Sequence, residues 1–219
     1  MNWRAERIWE GETCAILAGG PSLRGLDAEA LRGVRVLTIN DSHRLAPWAD
    51  LHYFCDQSWL AGQKGIDLDC GKWVKGGEAR GVDERVKVLR FTGQLGFEAD
   101  ISALRHGSNS GYQALHLAAH LGAARILLLG YDMRCEGARS HWHNAARPRN
   151  FSQILKLSML PLFDTLVDPL KKRGVRVINC TPNSSLRCWE YKPLEEALAN
   201  PLLTAPSLAP PSTTRPLLA

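Results

Sequence analysis

The chain has 219 residues, 45% of them hydrophobic, and 27 Lys and Arg against 22 Asp and Glu give it a net charge of +5 and a pI near 9.0. That length suits one sizeable α/β domain that needs neither metal nor disulfide staples to fold. The basic excess suits an anionic ligand, but it is too small and too scattered for a duplex nucleic-acid surface.

The opening stretch MNWRAERIWEGE carries charges where a signal peptide would be apolar. No later segment approaches the about 20 apolar residues of a membrane span. Among the cysteines, Cys14, Cys55, Cys70, Cys135, Cys180 and Cys188, there is no C-x-x-C pair, and Cys14, Cys55 and Cys180 sit in apolar runs. These features predict buried thiols, a reducing compartment and a soluble cytoplasmic protein.

Apolar runs recur at 13–19 (TCAILAG), 34–40 (VRVLTIN), 51–55 (LHYFC), 86–91 (VKVLRF), 125–131 (RILLLGY) and 175–180 (VRVINC). They are continuous rather than alternating, as parallel strands covered on both faces are. Helical patterns separate several of them: a short one at 27–31, an Ala-Leu-rich one at 110–121, and one at 151–172 with Ile154, Leu155, Met159, Leu162, Phe163 and Leu166 on one face. Strand and helix in turn predict a single Rossmann-like, doubly wound, mainly parallel sheet over 1–199. The interval 57–85 has weak periodicity and reads as an excursion over the sheet edge, either covering a substrate or forming an irregular surface loop. Residues 200–219 hold five of the twelve prolines and almost no charge, which predicts a flexible tail.

In an open parallel sheet ligands bind beyond the carboxyl ends of the strands, so the segments there carry the functional search. In AGGPSL, Gly19 and Gly20 bare the backbone amides to an anion, Pro21 sets the turn, and Ser22 follows. The pattern is neither G-x-G-x-x-G nor G-x-x-x-x-G-K-[ST]. Asn40 closes the second strand, where its amide, both donor and acceptor, suits a base, a sugar or a phosphate, while Asp41 or Ser42 would fill a helix N-cap. Asn109, Ser110 and Gly111 open the long helix, where capping explains one of them and a ligand the others.

From about 132 to 152 the chain concentrates Arg134, Arg139, Arg147, Arg149, His141 and His143, the composition of a cationic lid over phosphates. His141 and His143 suit a general base or a phosphate contact better than zinc with Cys135, since their spacing matches no standard site. Asp56 and Asp132 stand at strand ends, where they suit Mg²⁺ against phosphates, a cap, or a pair with a lid arginine.

Taken in order, AGGPSL, Asn40, Asp56, SNSGYQALHLAAHLGAARILLLGYDM and CTPNSSL resemble the segments of the bacterial CMP-sialic acid-dependent sialyltransferases over residues 13–190. More loosely they resemble a wider, often phage-borne set of Rossmann-like proteins that includes the archaeal-type 6-hydroxymethylpterin pyrophosphokinases. The resemblance implies that Gly19, Gly20, Pro21 and Ser22 lie beside the donor phosphate, and that Asn40 and Asp56 contact the nucleotide or the transferred group. It also implies that Asn109, Ser110 and Gly111 hold the nucleotide and that Pro182, Asn183 and Ser184 meet its base or ribose. Gly19 and Asp56 stand where sialyltransferases carry Asn.

The expectation is a nucleotide-dependent transferase, a glycosyltransferase working from a nucleotide-activated sugar, with His143 or His141 as base and Asp132 beside them. The alternatives are an Mg²⁺-dependent pyrophosphokinase with the metal at Asp56 and Asp132, and a non-catalytic nucleotide-binding protein. No tightly bound cofactor is expected, only a small-molecule nucleotide or nucleotide-sugar as substrate. The acceptor, and whether the chain forms a homo-oligomer, stay open.

Overall fold

The computed structural model describes residues 3–63, 66–137, 139–143 and 150–199; Arg147, Arg149 and the expected tail at 200–219 lie outside the described residues. The strands β1 (Thr13–Leu17), β2 (Arg35–Ile39), β3 (Leu51–Phe54), β4 (Trp73–Gly76), β5 (Lys87–Phe91), β6 (Ala103–Leu104), β7 (Arg125–Leu129) and β8 (Arg176–Asn179) form one all-parallel sheet in the order β6-β5-β4-β3-β2-β1-β7-β8. Helices α1 (Gln57–Ala61), α2 (Ser110–His120), α3 (Phe151–Ile154), α4 (Asp164–Lys172) and α5 (Leu194–Ala199) flank it, and the fold is Rossmann-like and doubly wound.

The continuous apolar runs are explained by two cores, one on each face of the sheet. Along β1, Cys14 and Ile16 join Tyr112, Leu115 and Ala118 of α2 and Leu166 and Leu170 of α4, whereas Ala15 and Leu17 join Leu31, Leu127 and Ala197. Successive side chains point to opposite faces of a strand, so burial on both faces favours an apolar residue at every position and admits a polar one only where it finds a partner.

Two readings of the sequence are corrected. The interval 57–85 is not wholly irregular: it holds α1 and the internal strand β4, paired on both sides with β3 and β5. Its signal was hidden by Lys75 inside WVKG, which is buried with its ammonium donating to the carbonyls of Gly76 (3.2 Å) and Glu78 (2.8 Å). The expected single helix over 151–172 is broken into α3, a π-helical turn at Leu155–Met159, a 3₁₀ turn at Leu160–Phe163, and α4. Pro161 has no N–H to give to the preceding turn and its ring crowds that turn's carbonyl, which accounts for the break.

No helix among the described residues is long and apolar enough to cross a membrane. All six cysteines are free thiols.

The buried histidines give the fold a defined acid response. Burial, reinforced by the charge of His43, lowers His52 to about 4, and burial with the charge of His120 lowers His116 to about 3. Both titrate near 6.5 when unfolded, so below that pH the unfolded chain takes up protons that the folded chain refuses. Stability is therefore complete above about pH 6.5 and falls as the pH drops toward 4, by about 2 kcal/mol per histidine at pH 5. His116→Gln, which keeps an acceptor for the Glu98 amide, is expected to reduce the stability loss between pH 7.5 and pH 5 by about 2 kcal/mol in urea unfolding. Asp132, raised by burial, acts alike in both proteins and cancels; an unchanged difference refutes the assignment.

Candidate functional site

The sheet reverses its direction of growth between β1 and β7. The turns leaving adjacent strands there diverge and open a crevice, the position at which doubly wound sheets take their ligands. A cleft of about 540 Å³ occupies that place, within the range of small-molecule sites. It gathers Gly19 and Gly20 from the β1 turn, Asn40 after β2, Asp56 after β3, Asn109, Ser110 and Gly111 at the start of α2, Asp132 and Arg134 after β7, and His141 and His143. Pro21, Ser22, Arg139, Pro182, Asn183 and Ser184 do not line it.

The second glycine of AGGPSL makes room for the protein's own carboxylate. The Gly20 amide donates to the Gly130 carbonyl (2.9 Å), and Asp132 accepts from the Ser22 amide (3.1 Å) and the Ser22 hydroxyl (2.7 Å). A Cβ on Gly20 would collide with Asp132 Oδ2 and the Gly130 carbonyl. Burial raises the Asp132 pKa, and the two bonds from Ser22 work against that rise. Ser22 thus holds Asp132 at the cleft wall and does not itself line the cleft.

The CTPNS segment acts as a brace behind the same wall. Ser184 is buried and its hydroxyl donates to the Tyr131 carbonyl (2.5 Å), while the Ser185 amide donates to the Asp132 carbonyl (2.8 Å). Pro182 and Asn183 are exposed outside the cleft, with Asn183 in the left-handed region. Arg139 pairs its backbone with Glu136 in a turn of the segment after β7.

At the head of α2, Asn109 caps its own helix: its Oδ1 accepts from the amides of Gly111 (2.7 Å) and Tyr112 (3.3 Å), and its Nδ2 reaches the Met159 sulfur (3.5 Å). Ser110 pairs its hydroxyl with Cys55 Sγ (3.3 Å). Burial pushes the Cys55 thiol up to about 11, which leaves it protonated and a weak nucleophile at neutral pH.

Residues 140–143 are packed onto the β1 and β2 turns. The Trp142 amide donates to the Gly19 carbonyl (3.0 Å) and its indole N–H to Ser42 Oγ (3.2 Å), and Ser42 in turn donates to the Ala18 carbonyl. His141 lies over Gly19, so close that a Cβ there would stand 2.9 Å from the ring, and its Nδ1 pairs with Ser140 Oγ (2.7 Å). His143 Nε2 stands 3.4 Å from Asp41 Oδ2.

Several residues that shape the cleft were not singled out for it in the sequence. Asp41, weighed only as a cap, accepts from the Trp59 indole (3.1 Å) and faces Arg44 (3.3 Å). Trp59, Leu155 and Met159 supply apolar wall, and the π-helical turn is what brings the last two there. Three non-glycine residues of the cleft, Asn40, Ser108 and Met133, hold left-handed backbone, with φ near 50°. Asn40 Oδ1 is shielded from solvent and has no partner among the described residues.

Among the described residues no group of three or more His, Cys, Asp or Glu side chains is placed to hold a metal. No family model, curated protein or solved structure matches the chain.

The two glycines of the turn have separable roles. Gly20→Ala is expected to cost about 1–3 kcal/mol or more in chemical denaturation, because backbone and a clamped carboxylate stand in the way. Gly19→Ala meets only the edge of His141, so it should leave stability within about 1 kcal/mol of the parent while displacing that ring. Equal losses would contradict the geometry.

Proposed function

We propose that this cleft binds a nucleotide-activated donor and that the chain is a group transferase, working as a glycosyltransferase on a nucleotide-activated sugar. What carries the reading is the convergence, at the switch point of a doubly wound sheet, of the ends of four strands, β1, β2, β3 and β7, and the start of α2 on one cleft of about 540 Å³. Arg134 at the exposed rim suits a phosphate, and Asn109 orders the start of α2 on the same cleft by taking the amides of Gly111 and Tyr112. His143 or His141 takes the proton of the acceptor hydroxyl, and the histidine segment shields the departing phosphate from water.

A second reading draws support from the three carboxylates, Asp41, Asp56 and Asp132, that share the cleft. Mg²⁺ is commonly held by one or two carboxylates together with substrate phosphates, so Asp56 and Asp132 suit a metal-bridged diphosphate and transfer of diphosphate from ATP.

Thermal melting with CMP, UDP, GDP, ATP and their sugar conjugates, each with Mg²⁺ and with EDTA, tests both. Ligand at a hundredfold excess over Kd stabilises by about 2.7 kcal/mol, or about 5–10 °C for a chain of this size. A shift with a nucleotide-sugar that persists in EDTA, with turnover reduced about a hundred- to ten-thousandfold by His143→Ala or His141→Ala, supports the glycosyltransferase. A shift and turnover with ATP that vanish in EDTA support diphosphate transfer instead. A shift without turnover leaves a nucleotide-binding protein, and no shift with any ligand refutes both enzyme readings.

A further inference from the structure

Two indoles line the cleft, Trp59 and Trp142, and neither came forward from the motifs of the sequence. Each is pinned through its one polar atom to successive residues of a single turn, Asn40–Arg44. Trp59 Nε1 donates to Asp41 Oδ2 (3.1 Å) and Trp142 Nε1 to Ser42 Oγ (3.2 Å). The remaining residue in this row, Asn40, makes no side-chain hydrogen bond among the described residues, and its Oδ1 is buried. An unpartnered buried acceptor is costly, and it sits on left-handed backbone, itself costly for a residue with a side chain.

Fixing an indole by its N–H leaves its faces for stacking, and stacking on aromatic faces is how proteins hold unpaired bases. An amide with both donor and acceptor unused can read the edge of such a ring. Pro182, Asn183 and Ser184, by contrast, stand outside the cleft.

We infer that the Asn40–Arg44 turn and its two anchored indoles form the subsite for the planar nitrogen heterocycle of the ligand, a nucleobase, with Trp59 and Trp142 stacking on it and the Asn40 amide meeting its polar edge. The inference rests on the proposed function for the identity of the ligand as a nucleotide, but the indole contacts can be measured without any transfer reaction.

The experiment is titration calorimetry of the whole chain with nucleosides, nucleoside monophosphates and ribose 5-phosphate, paired with quenching of tryptophan fluorescence. Trp142→Leu is expected to weaken nucleoside and nucleotide binding about 10- to 100-fold, and to leave the affinity for ribose 5-phosphate unchanged. Trp59 also packs on Phe54 and Trp73, so Trp59→Ala is read only if its circular dichroism and melting stay native. Asn40→Asp, which removes the amide donor, should change the order of preference among the four bases. Base-dependent binding with this pattern but no turnover of any donor upholds the subsite and refutes the transferase. Turnover with binding indifferent to Trp142 and Asn40 refutes the subsite and leaves the transferase standing. Equal weakening of ribose 5-phosphate, or no binding of any base-containing ligand, overturns the subsite.

Discussion

The bond between Asp132 and Ser22 is the constraint on which the cleft depends. β1 and β7 are neighbours in the sheet, and the two turns leaving them diverge at the switch point. Asp132 crosses that gap and takes both an amide and a hydroxyl from Ser22. Leaving a carboxylate buried without such donors would be costly, so the bond both requires and rewards the close approach that Gly20 permits. The same arrangement explains why the turn begins with two glycines. One admits Asp132 and the other admits His141.

From that joint the order of the site follows outward. The CTPNS brace presses on the backbone of Tyr131 and Asp132 from outside the cleft, and Trp142 hangs from the Gly19 carbonyl inside it. The strained backbone at Asn40, Ser108 and Met133 is found where these turns meet the cleft. Each such residue costs about 1–3 kcal/mol and persists only where its surroundings over-determine it. Here the surroundings are strand ends fixed by the sheet on one side and by side-chain bonds on the other.

The strands with long apolar runs were legible because burial on both faces leaves an unmistakable pattern, and the strand ends followed from them as the place for a site. β4 was not, since a four-residue strand with a lysine at its third position breaks that pattern; Lys75 is tolerated only because two carbonyls receive its ammonium. Local sequence also offered a cap among Asn109, Ser110 and Gly111, and Asn109 is the residue that fills it. What sequence could not separate was a residue at the site from a residue that builds it. Ser22 and Ser184 stand in motifs that point to a ligand, yet their hydroxyls are spent on Asp132 and Tyr131. The distinction depends on contacts with Asp132, 110 residues away from Ser22 in the chain, and no local pattern encodes them.

The charge of the cleft has a consequence for what can enter it. An amide-lined turn attracts an anion only while its amides are unclaimed, and here Gly20 and Ser22 have given theirs to Gly130 and Asp132. A phosphate placed against that turn would meet a carboxylate. The amides of Gly111 and Tyr112 at the start of α2 are likewise taken by Asn109, so the favourable place for the phosphate lies toward Arg134 at the rim, away from the Ser22 side, unless a cation stands between phosphate and Asp132. On the proposed reading, a ligand whose base occupies the wall of Asn40, Trp59 and Trp142 meets Asp41 and His143 on that same wall, because Asp41 belongs to the turn and His143 stands 3.4 Å from it. His141 over Gly19 and the clamped Asp132 belong instead to the β1 and β7 side.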